Sequence, residues 1–138
     1  MTSYIILGAI ILAASAFGIY RQINDGKTKV VDTRERVTTT DIGAEFGERV
    51  TLLQFSTAFC SPCRTTKVIL SSTAELVPGV RHIEIDAESH LDLVNRLDIR
   101  RTPTTLILDA QGVVRNRAVG VPKKDELLTV IASVVDPA

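Results

Sequence analysis

Residues 49–86, "RVTLLQFSTAFCSPCRTTKVILSSTAELVPGVRHIEID", restrict this chain to a narrow set of folds. "RVTLLQFS" is an apolar run rich in β-branched and aromatic types, the pattern of a buried strand. Cys63, Thr66, Leu70, Ala74 and Val77 then recur at helical spacing and give one stripe to pack inward. Pro78-Gly79 ends that helix, and "VRHIEID" alternates as a second strand. Two strands joined through a helix lie parallel in one sheet, because the crossover returns the chain to the same end.

The remainder extends this unit. The end of the stretch before it, near Arg36 to Thr38, is expected to add a short edge strand. "TTDIGAEFGE" offers Thr40 or Asp41 as an N-cap for a short helix, with Ile42 and Phe46 on one face and Gly47 as its stop. Ser89 with Asp92 resembles a capping box, and Leu91, Val94 and Leu97 give the next helix a face. "TTLILD" reads as a strand, "DAQG" as a turn and "VVRNRAV" as an antiparallel return. Gly120 and Pro122 lead into "KKDELLTVIASVV", where Leu127, Leu128, Ile131 and Val135 share a face. The predicted class is α/β, a mixed central sheet with helices on both faces.

The N-terminus is of another kind. Residues 1–20 carry no charge, and "YIILGAIILAASAFGIY", Tyr4 to Tyr20, is 17 residues of apolar and small types. As a helix it would span roughly 25 Å, just short of a hydrocarbon core of roughly 30 Å. Both tyrosines of the chain flank it, where amphipathic rings favour the membrane interface. "ASA" at 14–16 resembles a signal-peptide cleavage site, but no lysine or arginine precedes the apolar run, which favours an uncleaved anchor. The expected organisation is a transmembrane anchor over 1–20, a juxtamembrane linker over 21–35 and a folded domain over 36–138. Arg21, Lys27, Lys29, Arg34 and Arg36 follow the span. The positive-inside rule then turns the domain toward the cytoplasm, the alternative being an extracytoplasmic domain. The chain balances 16 basic against 16 acidic residues, which gives no basic field for nucleic acid.

Both cysteines, Cys60 and Cys63, fall where the first strand gives way to the helix. Unpaired N–H groups and the partial positive charge of a helix N-terminus stabilise a thiolate there. Cys63 lies on the same side of the helix, close enough to close a disulfide. Pro62 fits the first turn, where its missing N–H is not needed. A structural bridge over so short a loop gains little. Zinc would require two more ligands, and only His82 and His90 remain, at an unsuitable spacing. A redox dithiol is favoured over a structural bridge and over metal.

Over about residues 38–136 the chain resembles the thioredoxin superfamily, on "LLQFSTAFCSPCR", the strand ending in Asp86, "RRTPTTLILD" and the Gly120 turn. The resemblance implies a thioredoxin-like three-layer α/β/α sandwich, here preceded by one N-terminal transmembrane helix, as in membrane-anchored bacterial members. It implies that Thr102-Pro103 forms the cis-proline loop beside the dithiol, where backbone pairs with an extended substrate segment. Read without the family, Pro103 is a proline at the start of a strand. Phe59, Pro62, Thr102 and Pro103 would form the substrate rim. Gln54 stands where many thioredoxins keep a buried aspartate credited with relaying a proton, and a glutamine cannot titrate. His82 aligns near the lysine beside that aspartate and is either a proton shuttle or, as favoured here, a satisfied strand histidine. His90 and Arg100-Arg101 read as solvated. Phe59 and Ser61 replace the tryptophan and glycine common around the motif.

The function expected is a membrane-anchored thiol–disulfide oxidoreductase acting on protein disulfides. An upstream redox donor, which the sequence does not name, would restore it, and no bound cofactor or metal is implied. A thioredoxin-like binding module with little turnover is the second reading, and a metal carrier the third.

Overall fold

In the computed structural model, which describes residues 1–24, 28–30 and 35–136, the chain opens with α1 (Thr2–Asn24), β1 (Thr28–Val30), α2 (Thr39–Ile42) and β2 (Val50–Ser56). It continues through α3 (Ser61–Leu76), β3 (Val80–Asp86), a 3₁₀ turn (Ala87–Ser89) and α4 (Leu91–Arg96), then β4 (Thr104–Asp109), β5 (Val114–Val119) and α5 (Lys124–Val135). The sheet order is β1-β5-β4-β2-β3. β2 and β3 are parallel, as the α3 crossover requires, and the other pairs are antiparallel.

Alternation along the strands sorts the core into two layers. Leu53 and Phe55 of β2 face one side, with Ile85, Leu106 and Leu108, and α4 covers them with Leu93 and Leu97. Val50 and Leu52 face the other side with Ile107, under Leu70 of α3 and Leu127, Val130 and Ile131 of α5. All seven residues of β2 are buried, since it is paired on both edges and covered on both faces. The result is the expected three-layer α/β/α sandwich on a mixed sheet. Leu70 and Leu127 lie on the predicted inward stripes, and Leu128 is only half-buried.

Local punctuation differs from expectation in several places. The edge strand is β1, inside the stretch read as linker, paired with β5 from Thr28 opposite Ala118 to Val30 opposite Asn116. Near Arg36 there is a single bridge to Val113. Three residues of ordinary polarity give no periodic signal, so the pairing is decided by the open edge of β5. The cap of α2 is Thr38 rather than Thr40 or Asp41. Thr38 Oγ1 accepts from the Asp41 N–H at 3.2 Å, and Asp41 Oδ2 accepts from the Thr38 N–H at 2.8 Å, a reciprocal capping box. Gly43, at φ 63°, ends the helix in place of Gly47. Gly47 is needed for another reason: a Cβ there would lie 2.3 Å from the Val50 carbonyl oxygen. Ser89 does not cap α4 with Asp92. Its hydroxyl donates instead to Asp86 Oδ2 at 2.8 Å, closing the 3₁₀ turn, and His90 takes the cap position without a side-chain bond to the helix it caps. Leu91 therefore faces solvent, while Leu93 and Leu97 are buried.

The capping box is also a tertiary clamp. Arg96 of α4 donates from Nη2 to Asp41 Oδ2 at 2.6 Å. That bond, with those from Thr38, outweighs partial burial and lowers the Asp41 carboxyl from 3.8 to about 2. A carboxylate lowered in this way adds stability above about pH 4, and the contribution is lost as pH falls from 3.8 toward about 2. Asp41→Asn is expected to cost about 1 kcal/mol near pH 7 in urea unfolding. The difference from the parent chain should shrink as pH falls below 3.8 and close only below about 2; a gap that keeps its full pH 7 size at pH 2 would mean that the charge of Asp41 is not its source.

Candidate active site

β2 ends at Ser56, and residues 57–60 carry the chain across the sheet edge to α3. Cys60 is the N-cap residue of α3, in extended backbone at φ −122°, and its Sγ accepts from the Cys63 N–H at 3.2 Å. The sulfur thus takes the place that a serine or aspartate oxygen holds in an ordinary N-cap. Cys60 and Cys63 are joined as a disulfide, with Cα atoms 5.2 Å apart. Cys63 is 4% exposed, whereas Cys60 is half-exposed, so the two sulfurs differ in access. Pro62 falls in the first turn, where no N–H partner is needed, and its carbonyl accepts from buried Thr66 Oγ1 at 2.9 Å.

Beneath the first turn of α3 lies Gln54. Strand alternation puts it on the α3 side of the sheet with Val50 and Leu52, and it is fully buried. Its Nε2 donates to the Cys63 carbonyl at 2.9 Å. A carbonyl only accepts, so this bond fixes the orientation of the amide and turns Oε1 toward His82. His82 Nε2 lies 2.9 Å from that oxygen and must be the donor. Burial lowers the His82 pKa below 6.5; neighbouring Glu84 opposes the shift, and Lys67 on α3 adds to it. The ring is therefore neutral at pH 7, with its proton on Nε2. His82, Gln54 and the Cys63 carbonyl form a hydrogen-bonded chain that ends on a backbone oxygen, not on sulfur.

The Thr102–Pro103 bond is cis. Pro103 is buried, and its carbonyl accepts from the Gly120 N–H at 2.9 Å, which ties the two loops together. Thr102 Oγ1 lies 3.4 Å from Thr57 Oγ1, linking the same loop to the strand end before the cysteines. Pro62, Thr102 and Pro103 line one cleft of about 570 Å³ with Arg101, Gly120, Val121 and, from α1, Gly18, Arg21 and Gln22. On the other side of Thr102 a mostly apolar groove of about 260 Å³ runs between Thr57, Ala87, Leu91, Val94 and Ile99. Phe59 is fully exposed and lines neither cleft.

The two cysteines, Pro62, Thr102 and Pro103 thus come together, and Gln54 and His82 lie below them. Thr57 was not singled out in the sequence, Gly120 was read only as the turn before the last helix, and Leu91 only as part of a helix face. Leu91 carried a misleading signal, since its spacing suits a buried face. His90 lies at the outer end of the 3₁₀ turn, with Nδ1 3.0 Å from the Asp86 carbonyl. Among the described residues no group of three His, Cys, Asp or Glu side chains converges on a point where a metal ion would sit.

Residues 34–133 match the family model for thioredoxin. Thioredoxin H4-1 of Oryza sativa subsp. japonica is 27% identical over 113 residues, 82% of this chain and 85% of that protein. Thioredoxin H5 of the same plant is 30% identical over 81 residues, and the match spans 59% of the length of each. Among solved structures, a thioredoxin from Nicotiana alata superposes with a TM-score of 0.56 at 25% identity, over 64% of this chain and 76% of that one. Spinach chloroplast thioredoxin f gives 0.55 at 29% identity, over 64% and 72%. A family match over most of the chain, the shared sandwich and a disulfide-forming pair at the strand–helix junction agree. The chain belongs to the thioredoxin family, as a thiol–disulfide oxidoreductase with its dithiol at Cys60 and Cys63.

Proposed function

We propose that this protein is held in a membrane by α1 and reduces or exchanges disulfides of protein substrates with the Cys60–Cys63 pair. The observation that carries the reading is the asymmetry of the pair. One sulfur is accessible at a helix N-terminus, and the other is buried one turn inside it. In the reduced protein the same Cys63 N–H and the dipole of α3 favour the Cys60 thiolate. That thiolate attacks a substrate disulfide, forms a mixed disulfide and releases one substrate sulfur as thiolate. The Cys63 thiolate then attacks Cys60 Sγ, forms the 60–63 disulfide and expels the second substrate sulfur. A dithiol donor must return two electrons to the pair before the next turnover. Pro62, Thr102, Pro103 and the exposed ring of Phe59 supply the rim, and the groove beside Thr57 and Leu91 supports a place for a substrate side chain.

Helix α1 supports the anchor. It is 23 residues long, has a mean hydropathy of 2.0 over its most apolar window and buries no residue in the domain. A signal sequence passes the same test of length and composition. The basic residues Arg21, Lys27, Lys29, Arg34 and Arg36, which follow the apolar run, support a domain on the cytoplasmic side. A binding role with little turnover is the second reading. It is favoured by Gln54, whose amide cannot take up the proton that the resolving thiol must lose.

Cys60 of the reduced protein should alkylate about tenfold or more faster than Cys63 near pH 7. Cys63→Ser should accumulate mixed disulfides, and Cys60→Ser should not. A Cys60→Ser variant that loses no turnover and no partner would end the assigned roles.

Gln54→Asp should raise the rate of disulfide reduction several-fold near pH 7, and should cost about 1–3 kcal/mol because the Cys63 carbonyl loses its donor and a carboxyl is buried. An unchanged rate would place proton transfer on solvent or another group. His82→Gln bears on the same network. A histidine whose folded pKa is lowered leaves the extra proton to the unfolded chain, so stability falls as pH drops below 6.5. The variant should lose that slope while its pH–rate profile stays that of the parent; an altered rate profile would make His82 a proton shuttle.

Alkaline phosphatase and green fluorescent protein, fused separately after Ala138, report the side of the membrane. A fluorescent fusion with inactive phosphatase is expected. The reverse pair would make the protein an extracytoplasmic reductase.

A further inference from the structure

The register of the edge strand fixes where the anchor joins the domain. β5 runs from Val114 to Val119, and its next residue, Gly120, is the one tied to Pro103 in the rim. The end of β5 is thus the dithiol end of the sheet. β1 is antiparallel to β5, and its first residue, Thr28, lies opposite Ala118, two positions before Gly120. The chain therefore enters the sheet at the dithiol end and runs away from it. Only Asp25, Gly26 and Lys27 separate Thr28 from the last residue of α1. Four Cα-to-Cα steps reach at most about 14 Å. The cleft that holds Pro62, Thr102, Pro103 and Gly120 is closed on one side by Gly18, Arg21 and Gln22 of α1, so helix end and rim are neighbours.

The charge of this end fits the same position. The whole chain is balanced, but this end carries a basic excess. The loops over residues 57–66, 99–104 and 120–124 bring Arg64, Arg100, Arg101, Lys123 and Lys124, against Asp86 and Glu88 in the turn that leaves β3 at the same end. Just outside them, Asp98 pairs with Arg100 at 2.9 Å. An exposed aromatic ring at Phe59, among loops with a modest basic excess, suits the headgroup region of an anionic bilayer.

We infer that the dithiol end of the domain is turned toward the membrane that holds α1, and that its substrate is a disulfide at the bilayer surface in an integral-membrane protein. The inference rests on the anchored-oxidoreductase reading above and adds a direction to it. A soluble protein would have to bring its disulfide into the narrow space between the domain and the lipid. An extended segment leaving a neighbouring transmembrane helix is already there.

The full chain in liposomes tests the geometry without catalysis. A bimane fluorophore goes on Cys60 in a Cys63→Ser variant. In a separate chain it goes on Gln111→Cys in a Cys60→Ser, Cys63→Ser background, at the opposite end of the sheet. Nitroxide on the lipid headgroups should quench the Cys60 label several-fold more than the label at 111. Equal quenching, or more at 111, in chains that resist carbonate extraction would overturn this inference alone. Release of the chain by carbonate would remove the anchor and the inference with it. The substrate is tested in native membranes by lengthening the tether with twenty Gly/Ser residues between Asn24 and Asp25, which adds about 25 Å of reach. Mixed disulfides of Cys63→Ser with carbonate-resistant proteins should fall several-fold, while reduction of a soluble peptide disulfide by the otherwise unaltered lengthened chain stays within about twofold of the parent. Trapped partners that wash off with carbonate, or a lengthened tether that changes nothing, would overturn the proposed substrate. Absence of any trapped partner alongside the expected quenching would remove the exchange reading and the substrate, and leave the orientation.

Discussion

Everything at the dithiol depends on β2 being held without slack. The strand pairs with β3 on one edge and β4 on the other, and both faces are covered. Slipping it by one residue would turn Leu53 and Phe55 to the α3 side and Gln54 to the α4 side. The alternation that buries Val50 and Leu52 under Leu70 also delivers Gln54 beneath the first turn of α3. The amide then bonds the Cys63 carbonyl, a group inside the turn that carries both cysteines. Core packing and active-site placement are thus one constraint. The same logic fixes the rim, because β4 begins immediately after Pro103 and β5 ends immediately before Gly120.

How much of this could be read from the chain follows from how local each signal is. β2, α3 and β3 are long and periodic, and their order implies the parallel pair, so the sandwich was legible. The dithiol was legible because strand end, helix start and two cysteines coincide within a few residues. The cis bond at Pro103 was reachable only by resemblance, since alone a proline at a strand start says nothing about isomer. β1 was hidden because its pairing is set by the vacant edge of β5, with Thr28 opposite Ala118 and Val30 opposite Asn116 far along the sequence, and not by its own composition. The cap of α2 was missed by two positions for a similar reason. Thr38, Thr40 and Asp41 are all plausible caps, and the choice of Thr38 is settled by Arg96, which holds Asp41 from another helix. The Gln54–His82 contact joins residues 28 apart and needs the β2–β3 register, in which Leu52 faces His82.

The neutral network below the dithiol has a consequence for its poise. A carboxylate at position 54 would raise the energy of a thiolate above it, since like charges in a poorly solvated site repel. An amide and a neutral imidazole exert no such charge, so the helix N-terminus acts on the Cys60 thiolate without opposition from below. Stabilising the reduced, ionised form shifts a dithiol toward the oxidising end of its range, and a lower pKa also makes the sulfur a better leaving group and a weaker nucleophile. Glutamine at 54 therefore trades in two directions at once. On the proposed exchange reading it supplies no base to deprotonate Cys63, and resolution of a mixed disulfide is expected to be slower for it. It also places no negative charge beneath the Cys60 sulfur, which favours the thiolate that forms one. On the same reading, a mixed disulfide that Cys63 resolves slowly decays instead by return of the substrate thiolate, with Cys60 as the better leaving group, and partner capture without net turnover is how the exchange and binding readings meet in a single site.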